Sequence, residues 1–140
     1  MLADSHTALL HTEEELRNLE VIRALRRATA EGRRAYMAPE AVVHRRGMAH
    51  LAVRSGGPYR PEGIPDRYDE VLAMIAKGDR VWAVWTVRGT HAGTLFGQAA
   101  TGRPVEVLEV GIWRLSGGKV VEAWFFADEY ALAQTLGILS

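Results

Sequence analysis

Apolar residues return every third position at Leu16, Leu19, Ile22, Leu25 and Ala28, while Arg17, Glu20, Arg23 and Arg27 fall elsewhere around the turn. That spacing predicts an amphipathic helix whose apolar stripe is core. Thr12 and Glu15 stand ahead of it as a capping-box pair, since the hydroxyl and the carboxylate can each satisfy an orphan amide at a helix start. Gly32 is the predicted stop. A short turn-rich helix from Arg34 to Met37 follows, and Ala38-Pro39-Glu40 breaks it before a short strand, Ala41-Val42-Val43, closed by His44.

From Ser55 to Pro65 the density of Gly and Pro predicts a long irregular loop, the kind of segment that often carries function. Arg67 to Ala76 is ambiguous on pattern alone, because Glu70, Leu72, Ala73 and Met74 favour helix by propensity. Val81–Val87 and Val105–Leu115, rich in Val and Trp, read as strands. Ser116-Gly117-Gly118 supplies a hairpin turn into a return strand, Lys119–Ala127. Asp128 then caps a last helix, Glu129–Leu136, which Gly137 ends. Helices first, an antiparallel sheet later and one helix last predict an α+β domain with helices over one face of the sheet.

Composition narrows the chemistry. The chain has 140 residues, 48% of them apolar, which is enough for one domain with a real core. Residues 12–140 are read as that domain, and residues 1–11 as a mobile N-terminal extension. Seventeen basic residues balance seventeen acidic ones, leaving no field to track a phosphate backbone, so nucleic acid is not an expected partner. No apolar run approaches the roughly 20 residues that span a bilayer, and no basic-then-apolar leader opens the chain, so a membrane is not an expected partner and a cytoplasmic location is. Without Cys there is no thiolate metal site, disulfide or cysteine nucleophile. No His-x-x-x-His pair, glycine-rich phosphate loop or Gly-x-Ser-x-Gly elbow occurs, and neither metal, nucleotide nor serine-hydrolase chemistry is supported.

Gly78-Asp79-Arg80-Val81, Trp85 to Gly93, Thr101-Gly102, Arg114, Gly118 to Glu122, Trp124, Asp128 and Leu136-Gly137 follow one another in an order that resembles the SnoaL-like polyketide and ester cyclases, of the nuclear-transport-factor-two-like fold. The likeness is good from about Ile64 onward, fair over the first helix and the Val42-Val43-His44 strand, and poor from Arg45 to Gly63. It implies that Ile64-Pro65-Asp66 leads into a strand over Arg67–Ala76. It further implies a cone, a curved antiparallel sheet closed by helices around an apolar pocket, and commonly a homodimer or larger homo-oligomer built through the sheet. The implied substrate is an apolar, polyketide-like small molecule of secondary metabolism, and no cofactor is expected. The family's acid/base Asp and its companion His fall on Phe125 and Gly111 here, so the usual proton-transfer pair is missing.

A three-residue turn with left-handed Gly118 would pair Leu115 with Lys119 and so set the faces of the last hairpin. Glu109, Gly111 and Trp113 then share a face with Val121, Ala123 and Phe125, and the resemblance assigns that face to the pocket. Leu108, Val110, Ile112 and Arg114 share the other with Val120, Glu122, Trp124 and Phe126, either an interface between copies or a face covered by the chain's own terminal helix or first residues. Glu109 is the leading catalytic candidate. A carboxylate among Trp113, Ala123 and Phe125 is desolvated, and desolvation raises its pKa toward the range useful for proton transfer; the alternative is a solvent-facing or Arg-paired Glu. Gly111 and Ala123 would leave room for ligand beside it.

His44 is a second catalytic candidate at the pocket mouth, or else a surface residue. His91, in the Gly89-Thr90-His91-Ala92-Gly93 turn, is read as fixing its loop, and His50 has no assignment. Tyr36, Tyr59 and Tyr68 are candidate phenols for a substrate carbonyl, Tyr59 from the loop best placed to act as a lid, or ordinary packing. Trp82 and Trp85 point to opposite faces of one strand, and Trp85 is taken for the pocket. Asp128 is a cap before it is an acid. A proton-transferring cyclase or isomerase leads these readings. A shape-driven cyclase of the cycloaddition type, an epoxide hydrolase and a non-catalytic small-molecule-binding domain stand beside it.

Overall fold

The computed structural model of the chain describes residues 10–45 and 56–138; His50 and most of the N-terminal extension lie outside them. Helix α1 runs Glu13–Arg27, a 3₁₀ turn spans Gly32–Tyr36, and strand β1 is Met37–His44. A second 3₁₀ turn, Pro61–Gly63, precedes β2 (Tyr68–Lys77), β3 (Arg80–Thr90), β4 (Pro104–Ser116), β5 (Lys119–Ala127) and helix α2 (Glu129–Thr135). The five strands form one mixed sheet in the order β1-β5-β4-β3-β2. The described residues form two compact units, the first from those up to His44 with Ala73–Val84 and Gly111–Phe125, the second from those within Arg45–Leu72 with Trp85–Val110 and those from Phe126. No helix among the described residues is long and apolar enough to cross a membrane.

The capping box is present as the sequence predicts. Thr12 Oγ1 accepts the Glu15 amide at 3.1 Å and Glu15 Oε1 accepts the Thr12 amide at 2.8 Å. The second oxygen of Glu15 accepts the Gly78 amide at 2.6 Å, and His11 Nε2 accepts the Ala76 amide at 3.2 Å, tying the start of α1 to the end of β2. This alters the stripe. Leu19, Ile22 and Leu25 are core, but Leu16 is 39% exposed and Glu15 and Asn18 are buried near the helix start. The helix also ends earlier than Gly32, at Arg27, where Ala28 turns extended.

Three further expectations are corrected. The sheet is not wholly antiparallel, because β1 pairs in parallel with β5, Val42 opposite Glu122 and His44 opposite Trp124. Pro39 lies inside β1 instead of breaking the chain ahead of it, which an edge strand with an irregular register between Met37 and Val42 tolerates. The last hairpin turns on two residues, not three: Gly117 and Gly118 both have positive φ, 58° and 78°, the backbone that twists two antiparallel strands correctly into each other. In β5, Val120 and Ala123 are both buried although three apart, and Arg114 on β4 pairs with Glu122. A strand with period-two faces can do this only by carrying one extra residue after the turn. Val120 therefore belongs to the core and not to the outer face.

The strand Arg67–Ala76, accepted on resemblance against its helical propensity, is present as β2. Its edge position leaves Tyr68, Val71, Leu72 and Ile75 all about half exposed. At the C-terminus Asp128 Oδ1 accepts the Ala131 amide at 3.1 Å. Gly137, with φ of 76°, lets the Ile138 amide return to the Ala133 carbonyl at 2.9 Å and close α2.

Candidate functional site

Three contacts fix the register of β3 on β4. The Leu115 amide donates to the Asp79 carbonyl at 2.8 Å, Arg88 pairs with Glu106 at 3.1 Å, and the His91 amide donates to the Arg103 carbonyl at 2.9 Å. All three agree, and the same register places Trp85 directly across from Glu109. Along β4 the buried positions are Val105, Val107, Glu109, Gly111, Trp113 and Leu115, in strict alternation. Glu109 is thus on the core face, 5% exposed, within the second unit. On the same unit's stretch of β3, Trp85 and Val87 are buried. Glu109 is the sole carboxylate among these positions.

The first unit gathers the other aromatic candidates. Trp113 is 1% exposed and meets Phe125 edge-on, ring centroids 5.6 Å apart; Gly111 and Ala123 are buried on the same strands. The face pairing of Glu109, Gly111 and Trp113 holds, although the turn is one residue shorter than the sequence reading assumes. Two departures compensate: the shorter turn and the extra residue in β5 each move the register by one, and the parity of the faces survives.

The remaining candidates lie elsewhere. The His44 side chain is 46% exposed, 2.9 Å from Glu122 and stacked on Trp124, so it does not look toward the buried face. Arg114 reaches the other oxygen of Glu122 at 3.2 Å, and the Arg80 guanidinium stands 5.5 Å over the Trp124 ring. Tyr36 is half-buried at the end of its 3₁₀ turn, and Tyr68 is 60% exposed at the start of β2. Trp82 is 45% exposed where Trp85 is buried, as the alternation requires.

Sequence reasoning missed how the loop phenol is held. Tyr59 Oη accepts from Arg67 Nη1 at 2.9 Å, and Arg67 grips Asp69 with two bonds of 2.9 and 3.0 Å. Beside this, Asp66 accepts both the amide and the hydroxyl of Thr90, at 2.7 and 2.8 Å. A Pro-Asp-Arg run before a strand is the only trace of either arrangement in the sequence. Among the described residues no group of three or more His, Asp or Glu is placed to hold a metal ion.

Three carboxylates are held below their ordinary range: Glu15 by the amides of Thr12 and Gly78, Asp66 by the amide and hydroxyl of Thr90, and Glu122 by His44 and Arg114. A depressed carboxyl stabilises the fold above its unfolded value and ceases to do so as pH falls through its folded value. Thermal unfolding followed by circular dichroism is therefore expected to give a steady Tm from pH 7 to about 5 and a falling Tm below about 4. Glu15→Gln, which is already uncharged, should lower Tm at neutral pH and flatten the fall; an unchanged slope would contradict the assignment.

The family model for SnoaL-like polyketide cyclases matches residues 7–136. AclR of Streptomyces galilaeus, a proposed hydroxylase, is 30% identical with a TM-score of 0.69, the match covering 91% of this chain and 82% of AclR. IdmH of Streptomyces antibioticus, a proposed polyketide cyclase, is 25% identical with a TM-score of 0.64, covering 86% of this chain and 98% of IdmH. A proposed SnoaL-like polyketide cyclase from Jannaschia sp. CCS1 shares the fold at 22% identity and a TM-score of 0.72, over 93% of this chain and 98% of its own. No curated protein matches the sequence. With a family match over almost its whole length and the α+β sheet that such relatives share, this chain belongs to the SnoaL-like polyketide cyclases.

Proposed function

We propose that the protein is a cofactor-independent cytoplasmic cyclase that folds an apolar, polyketide-like substrate and closes a ring in it, with Glu109 moving the proton. The observation that carries this is one carboxylate, Glu109, buried on an otherwise apolar strand face across from Trp85. In an aldol-type closure the carboxylate takes a proton from the carbon next to a carbonyl, the resulting enolate attacks a second carbonyl, and the proton is returned to the new alkoxide. Every atom is kept. Water exclusion and orientation supply most of the acceleration, and the buried base supplies the rest. Tyr59, already accepting a bond from Arg67, keeps its own O–H for a substrate oxygen.

The test is incubation with an uncyclised aromatic polyketide ester, followed by mass spectrometry. Cyclisation leaves the mass unchanged or lowers it by one water, and changes retention. A ligand that binds and returns unaltered would make this a non-catalytic binding domain. The 30% identity to AclR supports a second reading, hydroxylation, in which dioxygen supplies the inserted atom and an added two-electron reductant takes its second atom to water; the same experiment, run with both present, detects it as gain of one oxygen atom.

A homo-oligomer built through the sheet is part of the proposal. Leu108 and Phe126 in the second unit, and Trp82 in the first, leave about half of their side-chain surface in water. Size exclusion with light scattering should give a dimer or larger; a pure monomer at micromolar concentration would dismiss it.

A further inference from the structure

His91 follows β3 and is 0% exposed. Its backbone is fixed on both sides: its amide donates to the Arg103 carbonyl, and its carbonyl accepts the Gly102 amide, both at 2.9 Å. This is a bulge in which Gly102, at φ of 72°, supplies the left-handed residue. The ring is fixed as well. Nδ1 accepts the Thr101 amide at 3.3 Å and lies 2.9 Å from Thr101 Oγ1. An amide N–H can only donate, so Nδ1 carries no proton and the ring's one N–H is on Nε2. Nε2 is buried and has no hydrogen-bond partner among the described residues. A buried donor left unpaired is destabilising, and folded proteins seldom leave one.

We infer that His91 Nε2–H is the donor for a carbonyl oxygen of the bound ligand. The fixed tautomer settles the chemistry of that ligand group. It must be able to accept, as a ketone, quinone or enolate oxygen does and a hydrocarbon or an ammonium group cannot. The inference rests on the proposed apolar, carbonyl-bearing substrate and deepens it, because it gives the site a polar preference that an apolar strand face does not have. His91 acts here as a binding and positioning residue, its Nδ1 held by Thr101 and its Nε2–H turned to the ligand.

Two probes of one shape separate the possibilities: menadione, a bicyclic quinone with acceptor oxygens only, and 2-methylnaphthalene, its hydrocarbon counterpart. The chain has no Cys, so the quinone meets no thiol. In protein labelled with ¹⁵N-histidine, the free His91 ring should show the Nε2–H form, and menadione should move that resonance while 2-methylnaphthalene does not. By tryptophan quenching, His91→Asn, whose amide oxygen replaces Nδ1 as acceptor, should bind menadione about fivefold more weakly and the hydrocarbon no differently. His91→Gln, which returns a donor near the Nε2 position, should restore the preference. A free ring in the Nδ1–H form, or menadione bound with the Nε2–H resonance unmoved, would overturn the inference and leave the donor to an internal water. If neither probe binds the wild-type protein, the apolar-substrate reading itself fails, and the inference with it.

Discussion

Glu109→Gln is expected to lower turnover about a hundredfold to ten-thousandfold, the usual contribution of a positioned acid or base. The substitution keeps the shape of the side chain and removes its ability to carry the proton, so substrate affinity should change little. Glu106→Gln is the matched control: it lies on the same strand but on the opposite face, its side chain 67% exposed and paired with Arg88. Its turnover should be that of the wild type. An unchanged rate in Glu109→Gln would leave cyclisation to substrate folding alone, the shape-driven alternative.

Trp113→Ala should cost about 3–5 kcal/mol of unfolding free energy in urea, because it deletes a large buried aromatic and leaves a cavity beside Phe125. Set against the 5–15 kcal/mol typical of a whole domain, that is a large fraction. Trp82→Ala, removing a side chain that is 45% exposed, should cost far less. If the two variants unfolded at the same urea concentration, the assignment of Trp113 to the core face would be wrong.

How much of this was legible in the sequence depends on how local the determining physics is. The Thr12–Glu15 cap, the Asp128 cap and the alternation that buries Glu109 are set by residues within a few positions of one another, and all could be read directly. The strand at Tyr68–Lys77 could not, since its helix-favouring residues are overruled by pairing with β3, and only the resemblance gave it. The parallel pairing of β1 with β5 joins segments some eighty residues apart and leaves no local mark; without it His44 has no visible partner, and with it His44 meets Glu122 and Trp124. Glu15 is legible as a cap and is also a cross-link, because the Gly78 amide it accepts is distant in sequence. The unpartnered Nε2 of His91 is the least legible feature, for it depends on what a fully packed loop fails to supply.

The central claim is that Glu109 is a desolvated carboxyl able to move a proton. It is tested most directly by a carbon-13 NMR titration of the glutamate side chains, with Glu109→Gln to assign the resonance. Burial on the strand face across from Trp85 predicts a Glu109 midpoint above the ordinary carboxylate value of about 4.3. A midpoint at or below that value would contradict the account and remove proton transfer by Glu109 from it.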